Sequence, residues 1–451
     1  MNENRKLKLK TSPKIAILGA GLSGLSAAYF LNKKGLSPFL FEAAPRAGGV
    51  IRTGNEHGFQ FEYGPNSLLL NGGDLADLIS ELNLQSELVE ANPDSNKRFI
   101  VRNGKPVAAP MSPLSFITSP LLSFCGKIRL LLEPFQPKSE KTDETLAAFV
   151  ERRLGKEALD YLLNPFVSGV YAGAPEKLSA RYSFPLLWEL EQTYGSLVKG
   201  FLMKPRKAKS GTKRKLVSFR QGVQTLTDAL SQNIGDQLYL ENPVQSIRRD
   251  LTHWIINEQP FDAVISTLPW HQLSLLQPEI RDLNPGISYS PVSVWHLGFQ
   301  RKQIRHALDG FGMLVPEVEK LNILGCLFPS TLFPGRAPDS QVLLTVFMGG
   351  GRQPQLTELT PEKSLEIALV DLDHLLGISG PPLWHKLIPW KQAIPQYSLE
   401  YGHFLRNLSD FEEKNPGWYF AGNCRNGISV TDCITNGDRV SREVSTYLGI
   451  L

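Results

Sequence analysis

The fold is decided by Lys14 to Gly35, KIAILGAGLSGLSAAYFLNKKG, and by PFLFEAA, Pro38 to Ala44, which follows it. A short aliphatic run, a glycine turn and a small-residue segment with helical spacing closed by Gly35 read as strand, turn and helix. PFLFEAA predicts a second buried strand ending in an acid at Glu42, completing a βαβ unit of about 30 residues and implying a parallel sheet. Gly19, Gly21 and Gly24 form G-x-G-x-x-G directly after the strand and at the mouth of the helix. That is the context in which the first glycine permits a tight turn, the second lets backbone approach a pyrophosphate, and the third allows close helix–strand packing. Helix N–H groups and the helix dipole favour the anion. Glu42 lies 18 residues beyond Gly24, near the ~20 expected of the acid that accepts from both ribose hydroxyls, and it argues against a 2′-phosphate. The competing reading is a small-residue turn that holds no ligand.

The 451 residues imply two or three compact units. With 42% hydrophobic, 9% aromatic and 20% charged residues, disordered, collagen-like and coiled-coil classes are excluded. A formal charge of +4 gives no case for nucleic-acid binding. Basic residues gather in Arg5 to Lys14 and in KPRKAKSGTKRK, Lys204 to Lys215. Either run reads equally as solvated linker. Cys125, Cys326, Cys424 and Cys433 show no metal spacing and no disulfide framework, which fits a reducing compartment. The polar leader lacks the pattern of a secretory signal, and no stretch has the ~18–20 apolar residues of a membrane span. A soluble or surface-lying protein is expected.

Leucine and isoleucine spacing predicts helix over 70–90, and 143–163 is amphipathic. From Asn92 to Arg206 the chain reads as a helical insertion rich in Leu, Phe and Pro. Mixed α/β character returns after the basic run, with strand-like pieces through 290–350. The final block predicts a strand, a glycine turn and a terminal helix.

Four residues after Glu42 stands RAGGVIRT, Arg46 to Thr53, and then FEYGPNSLL, Phe61 to Leu69. With these the chain resembles the flavin amine oxidase superfamily. Several further blocks are similar to the protoporphyrinogen oxidase family within it: NPFVSGVYAGAPEKLSARYSFPLLWELEQTYGSL from Asn164, FRQGVQTLTDAL, DAVISTLPWHQL, FGMLVP, LGCLFPSTLFPGRAP, FMGGGR, IPQY and AGNCRNGISVTDCITNG. The resemblance runs from about Pro13 to Val444.

The resemblance implies an α/β fold: a discontinuous Rossmann-like FAD-binding domain (13–90, 215–270, 386–451), a mixed α/β substrate domain (271–385) and a helical membrane-associating insertion (92–206). FAD, held non-covalently, would contact Gly19, Ala20, Gly21, Leu22, Ser23 and Gly24, then Glu42, Ala43, Arg46 and Gly49, and the Gly64, Pro65, Asn66, Ser67 turn. Val244 would meet the adenine edge as a strand residue. Trp390 and the segment Ile428, Ser429, Val430 would reach the flavin end, the latter where a helix opens at Thr431 and Asp432. Trp390 reads equally as core packing.

For the substrate, protoporphyrinogen IX, Arg98 would pair with a propionate, because a carboxylate in an apolar cleft needs a partner and guanidinium matches it bidentately. Lys97 and Arg102 are its rivals. Leu314, Leu327 and Phe347 would sandwich the macrocycle, or else be ordinary core, and backbone of a Ser168 to Tyr171 turn, with Gly169, would face the pyrrole edge. Neither His57 nor His271 shows an acid partner, so no side-chain base is assigned, and no metal. Three two-electron oxidations would pass to flavin and then to molecular oxygen, giving hydrogen peroxide. The setting would be cytoplasmic, on the inner face of the cell membrane, compatible with a homodimer and with contact to ferrochelatase. The alternative substrate is coproporphyrinogen III.

Overall fold

The computed structural model describes residues 12–204, 214–281, 283 and 287–450. Its first layer is a five-stranded parallel sheet in the order Leu238–Tyr239, Phe39–Phe41, Ile15–Leu18, Ala263–Ser266, Trp418–Phe420. All four residues of the Ile15–Leu18 strand are buried. Ile15 and Ile17 join the core beneath two helices while Ala16 and Leu18 join the opposite core, which is why this strand reads as continuously apolar rather than alternating. Both of its neighbours follow it in the chain, Phe39–Phe41 on one side and Ala263–Ser266 on the other, so the carboxyl end of this strand is a topological switch point, where such sheets open a ligand crevice.

One covering helix, Leu22–Asn32, begins in the glycine turn. The other is the terminal helix Val430–Tyr447. A Cβ on Gly437 would come 2.6 Å from the Ser26 Cβ, so glycine permits this close crossing. The Cys433 thiol lies against Ser23, which makes the two helices run side by side with their N-termini at the same end.

The second layer is a seven-stranded sheet in the order Trp384–Pro395, Tyr289–Gln300, Gln341–Gly349, Ile323–Leu327, Gly310–Leu314, Lys97–Arg102, Lys105–Ala108. Every pair is antiparallel except Gly310–Leu314 with Lys97–Arg102. Helix Pro361–Leu376 packs Ala368, Leu372 and Leu376 against one face. The opposite face carries Val292, Val294 and Ile388 and meets Phe59 and Phe61.

Three expectations change. The hairpin 97–108 belongs to this sheet and not to a helical insertion, because Phe99 and Val101 alternate inward within KRFIVR. The expected boundary at 385/386 falls inside the strand Trp384–Pro395, whose whole length pairs with Tyr289–Gln300. The helix expected over 70–90 covers only Asp74–Glu81; Asn83 turns left-handed at φ 57°, and Leu88–Glu90 is a strand. The amphipathic stretch 143–163 contains helix Leu146–Leu154, stopped by Gly155 at φ 91°.

Candidate functional site

At the switch point Gly19 adopts φ 94°, and its N–H donates to the Phe41 carbonyl at 2.8 Å. A Cβ on Gly24 would lie 2.0 Å from the Gly19 carbonyl oxygen, which explains the third glycine by packing alone. Gly21 differs. A Cβ there would meet nothing within 4 Å, so its glycine faces open space. The helix that starts beside it has no side-chain cap and no acid in its first turn, leaving its first N–H groups without intrahelical acceptors. Glu42 accepts from Ala20 N–H at 2.8 Å through one oxygen and from Ala44 N–H at 2.9 Å through the other. Both oxygens keep further acceptor capacity for ribose hydroxyls. Ala43 between them is exposed. This donor set and the open cradle fit a dinucleotide.

The chain beyond Glu42 closes over that cradle. Arg46 donates to the carbonyls of Ala47, Gly49 and Ile51 at 2.9, 2.7 and 3.1 Å, and burial holds its pKa below the ordinary value. It therefore shapes the loop by its backbone contacts. A Cβ on Gly49 (φ 57°) would stand 3.2 Å from the Gly21 Cα, which brings the two glycine segments together. A Cβ on Gly64 would meet the Val50 carbonyl oxygen at 2.5 Å, so the Gly64–Ser67 turn packs on the same loop. Trp390 donates its indole N–H to the Tyr63 carbonyl at 3.0 Å, beside that turn.

Val244 lies in irregular chain before the strand Ile247–Arg249, not within a strand, and is half-buried. Asn242 N–H donates to the Glu42 carbonyl at 2.8 Å, so this segment runs past the acid at the expected adenosine end. The terminal helix opens at Val430, one residue before the expected start, with Ser429 as its cap. Ser429 Oγ accepts from Asp432 N–H at 3.1 Å, and Asp432 turns back to accept from Ser429 N–H. Part of the expected N–H supply is thus used internally. Two tyrosine hydroxyls fix the preceding loop: Tyr397 donates to Asn423 O and accepts from Gly427 N–H, while Tyr401 donates to Cys424 O and accepts from Asn426 N–H.

Register explains the substrate residues. Gly312 pairs with both Arg98 and Leu327, Leu314 with Ile100 and Gly325, and Phe347 with Gly325 and Val294, which in turn pairs with Ile388. Paired residues share a face, so Arg98, Leu314, Leu327, Phe347 and Trp390 all stand on one side of the sheet, the side toward the Gly64–Ser67 turn. A Cβ on Gly169 would come 2.7 Å from Leu314 Cδ2. Gly169 therefore faces that surface, but within helix Asn164–Tyr171 rather than in a turn. Its final carbonyls lack helical donors, although Tyr171 O accepts from Gln396 at 2.9 Å.

The rival cations separate cleanly. Lys97 is paired with Asp309; Arg102 reaches Glu157 at 2.7 Å and stacks 4.2 Å from the Tyr161 ring. Arg98 is exposed, sits 5.5 Å over the Phe311 ring and, among the described residues, has no ion-pair partner. His57 lies exposed in a turn at φ 51°, and His271 packs edge-on to Tyr289 with burial lowering its pKa.

Sequence reading missed the buried group behind the turn. Glu62 accepts from Thr53 Oγ1 at 2.7 Å and from Val223 N–H at 3.0 Å, and burial raises its pKa despite these donors. Arg336 stands 3.9 Å from it. His296, kept neutral by burial that lowers its pKa to about 3, bonds the Glu62 carbonyl and Thr345 Oγ1. The acid two places before Gly64 in FEYGPNS was the available signal.

A crevice at the switch point and an apolar face turned toward it define a flavin-dependent oxidoreductase built on a Rossmann-type sheet. The chain belongs to the flavin containing amine oxidoreductase family, which matches residues 22–445, and its cofactor is FAD. It is 35% identical to the mitochondrial protoporphyrinogen oxidase of Nicotiana tabacum, over 98% of this chain and 96% of that protein. It is 27% identical to the coproporphyrinogen III oxidase of Bacillus subtilis (strain 168), over 96% of this chain and 98% of that one. A solved protein from Exiguobacterium sp. 255-15 has the same fold, with a TM-score of 0.80 and 24% identity over 97% of this chain and 99% of that chain.

Proposed function

We propose that this protein oxidises protoporphyrinogen IX to protoporphyrin IX in haem biosynthesis. The observation that carries the substrate assignment is Arg98, an unpaired guanidinium on the face bearing Leu314, Leu327 and Phe347. A flat tetrapyrrole with ionised propionates needs that combination: apolar walls for the ring and a fork of N–H donors for a carboxylate. FAD, when bound, supplies the acceptor for hydride leaving a saturated bridging carbon. The chain's task is positioning. Leu314, Leu327 and Phe347 hold the ring plane, Gly169 lets its helix pack directly on Leu314 by carrying no side chain, and Arg98 fixes the ring's rotation. The last carbonyls of helix Asn164–Tyr171 can polarise a pyrrole N–H, and the proton released with each hydride passes to water, so no side-chain base is assigned. Oxygen is the proposed final acceptor.

Attachment to a membrane surface is part of this reading. Helices Phe124–Leu131 and Leu197–Met203 leave Phe124, Leu131, Phe201 and Leu202 largely in solvent, with Phe135 nearby at 80% exposure. Among the described residues no helix is long and apolar enough to cross a membrane, so the contact would lie in the headgroup zone. The basic run falls mostly outside the described residues.

Anaerobic mixing of the purified yellow protein with protoporphyrinogen should bleach the flavin absorbance. Protein that stays yellow would overturn the substrate assignment. The relatives that carry the coproporphyrinogen name favour a second reading, and running that porphyrinogen in parallel decides it.

A further inference from the structure

Arg336 is 4% exposed and holds its position through one arm. Nη2 donates to Ser218 Oγ at 2.7 Å and to the Phe219 carbonyl at 3.3 Å. Nη1 is buried and, among the described residues, has no partner. Glu62 does not complete the fork, because its nearest approach to the guanidinium is 3.9 Å, too long for a hydrogen bond. Arg336 and Glu62 line a small cavity together with Asn66, Ser67, Leu327 and Thr345. There is room in it for about one water molecule. A propionate does not fit.

A buried guanidinium with an idle arm is costly, and an apolar side chain of similar volume would stabilise the fold better. The placement serves the neighbouring site instead. In so confined a space solvent screens little, so the charge is felt across the cavity wall by whatever the Asn66–Ser67 turn touches. A fixed cation favours the electron-rich form of a ring, and an anion opposes it.

We propose that Arg336 is a positioning residue that sets the electrostatic field at the flavin turn, raising the bound flavin's affinity for electrons, with Glu62 as a partial counterweight. The inference rests on the reading of Gly64–Ser67 as a flavin contact. Dye-equilibrated reduction of the FAD-loaded protein at pH 8 tests it. Arg336→Met should make the flavin potential more negative, Glu62→Gln more positive, and Arg336→Lys should stay near wild type. A merely structural pair would move the two neutralising variants the same way, or neither, and either result overturns the proposal. Should Arg336→Met not retain flavin, Glu62→Gln and Arg336→Lys still decide, because an unmoved Glu62→Gln potential rejects it. A wild-type protein that takes up no flavin would sink the site reading itself, whereas flavin-loaded protein with unmoved potentials sinks this inference alone.

Discussion

At the scale of single residues, chemistry follows from which groups are already satisfied. Lys97 and Arg102 spend their charge on Asp309 and Glu157, so Arg98 alone of the three remains for a ligand. Arg98→Ala should weaken porphyrinogen binding by roughly tenfold to a hundredfold, the worth of a charge-assisted hydrogen bond, while flavin stays bound. Steady-state titration checks this, with Lys97→Ala as the variant whose substrate affinity should hold. The glycine motif and Glu42 were legible because each performs its task within one βαβ unit. The choice among the three cations was not, since it depends on partners brought in from Glu157 and Asp309. Glu62 and Arg336 stayed hidden for the same reason: they are distant in sequence and meet only once both layers have formed.

Among elements, short-range signals served well where one segment decides its own state. The glycine helix and the terminal helix are examples. They served poorly for the 97–108 hairpin, which is placed by a sheet partner far along the chain, and for Val244, whose segment is held by loop contacts to Glu42 and Asn257 and not by a sheet. The terminal helix gives a direct test: Ser429→Ala removes its cap and should cost about 1 kcal/mol, read as a lower melting temperature of both apo and flavin-loaded protein. Helix Leu197–Met203 is anchored differently, by the buried Glu133, which accepts from Ser196 Oγ, Leu197 N–H and Val198 N–H at 2.6, 2.9 and 3.1 Å and pairs with Arg153. Burial alone would raise the Glu133 pKa, but these donors outweigh it and hold the pKa below the ordinary value. A carboxylate with a depressed folded pKa adds stability above its unfolded value of about 4.3, and that stability is lost as pH falls through the folded value. Glu133→Gln should therefore melt lower than wild type near neutral pH, with the gap closing on acidification below about pH 4 in a stability–pH series.

For the whole molecule, the proposed function divides the reaction between the two sheets, and the exposed apolar helices lie in the region that also supplies Gly169. Replacing Phe201, Leu202 and Met203 with serine should abolish co-flotation with anionic vesicles without loss of flavin; retained flotation would move the contact elsewhere. The sheet that carries the crevice also constrains how the protein can be made. Its central strand ends at Leu18, yet the flanking strands are Ala263–Ser266 and, beyond that, Trp418–Phe420. At roughly 5–20 residues per second, a ribosome needs about 20–80 s to deliver the last of them. Throughout that interval the nascent glycine turn has no finished sheet behind it, so a complete nucleotide crevice cannot form until nearly the whole chain has been made.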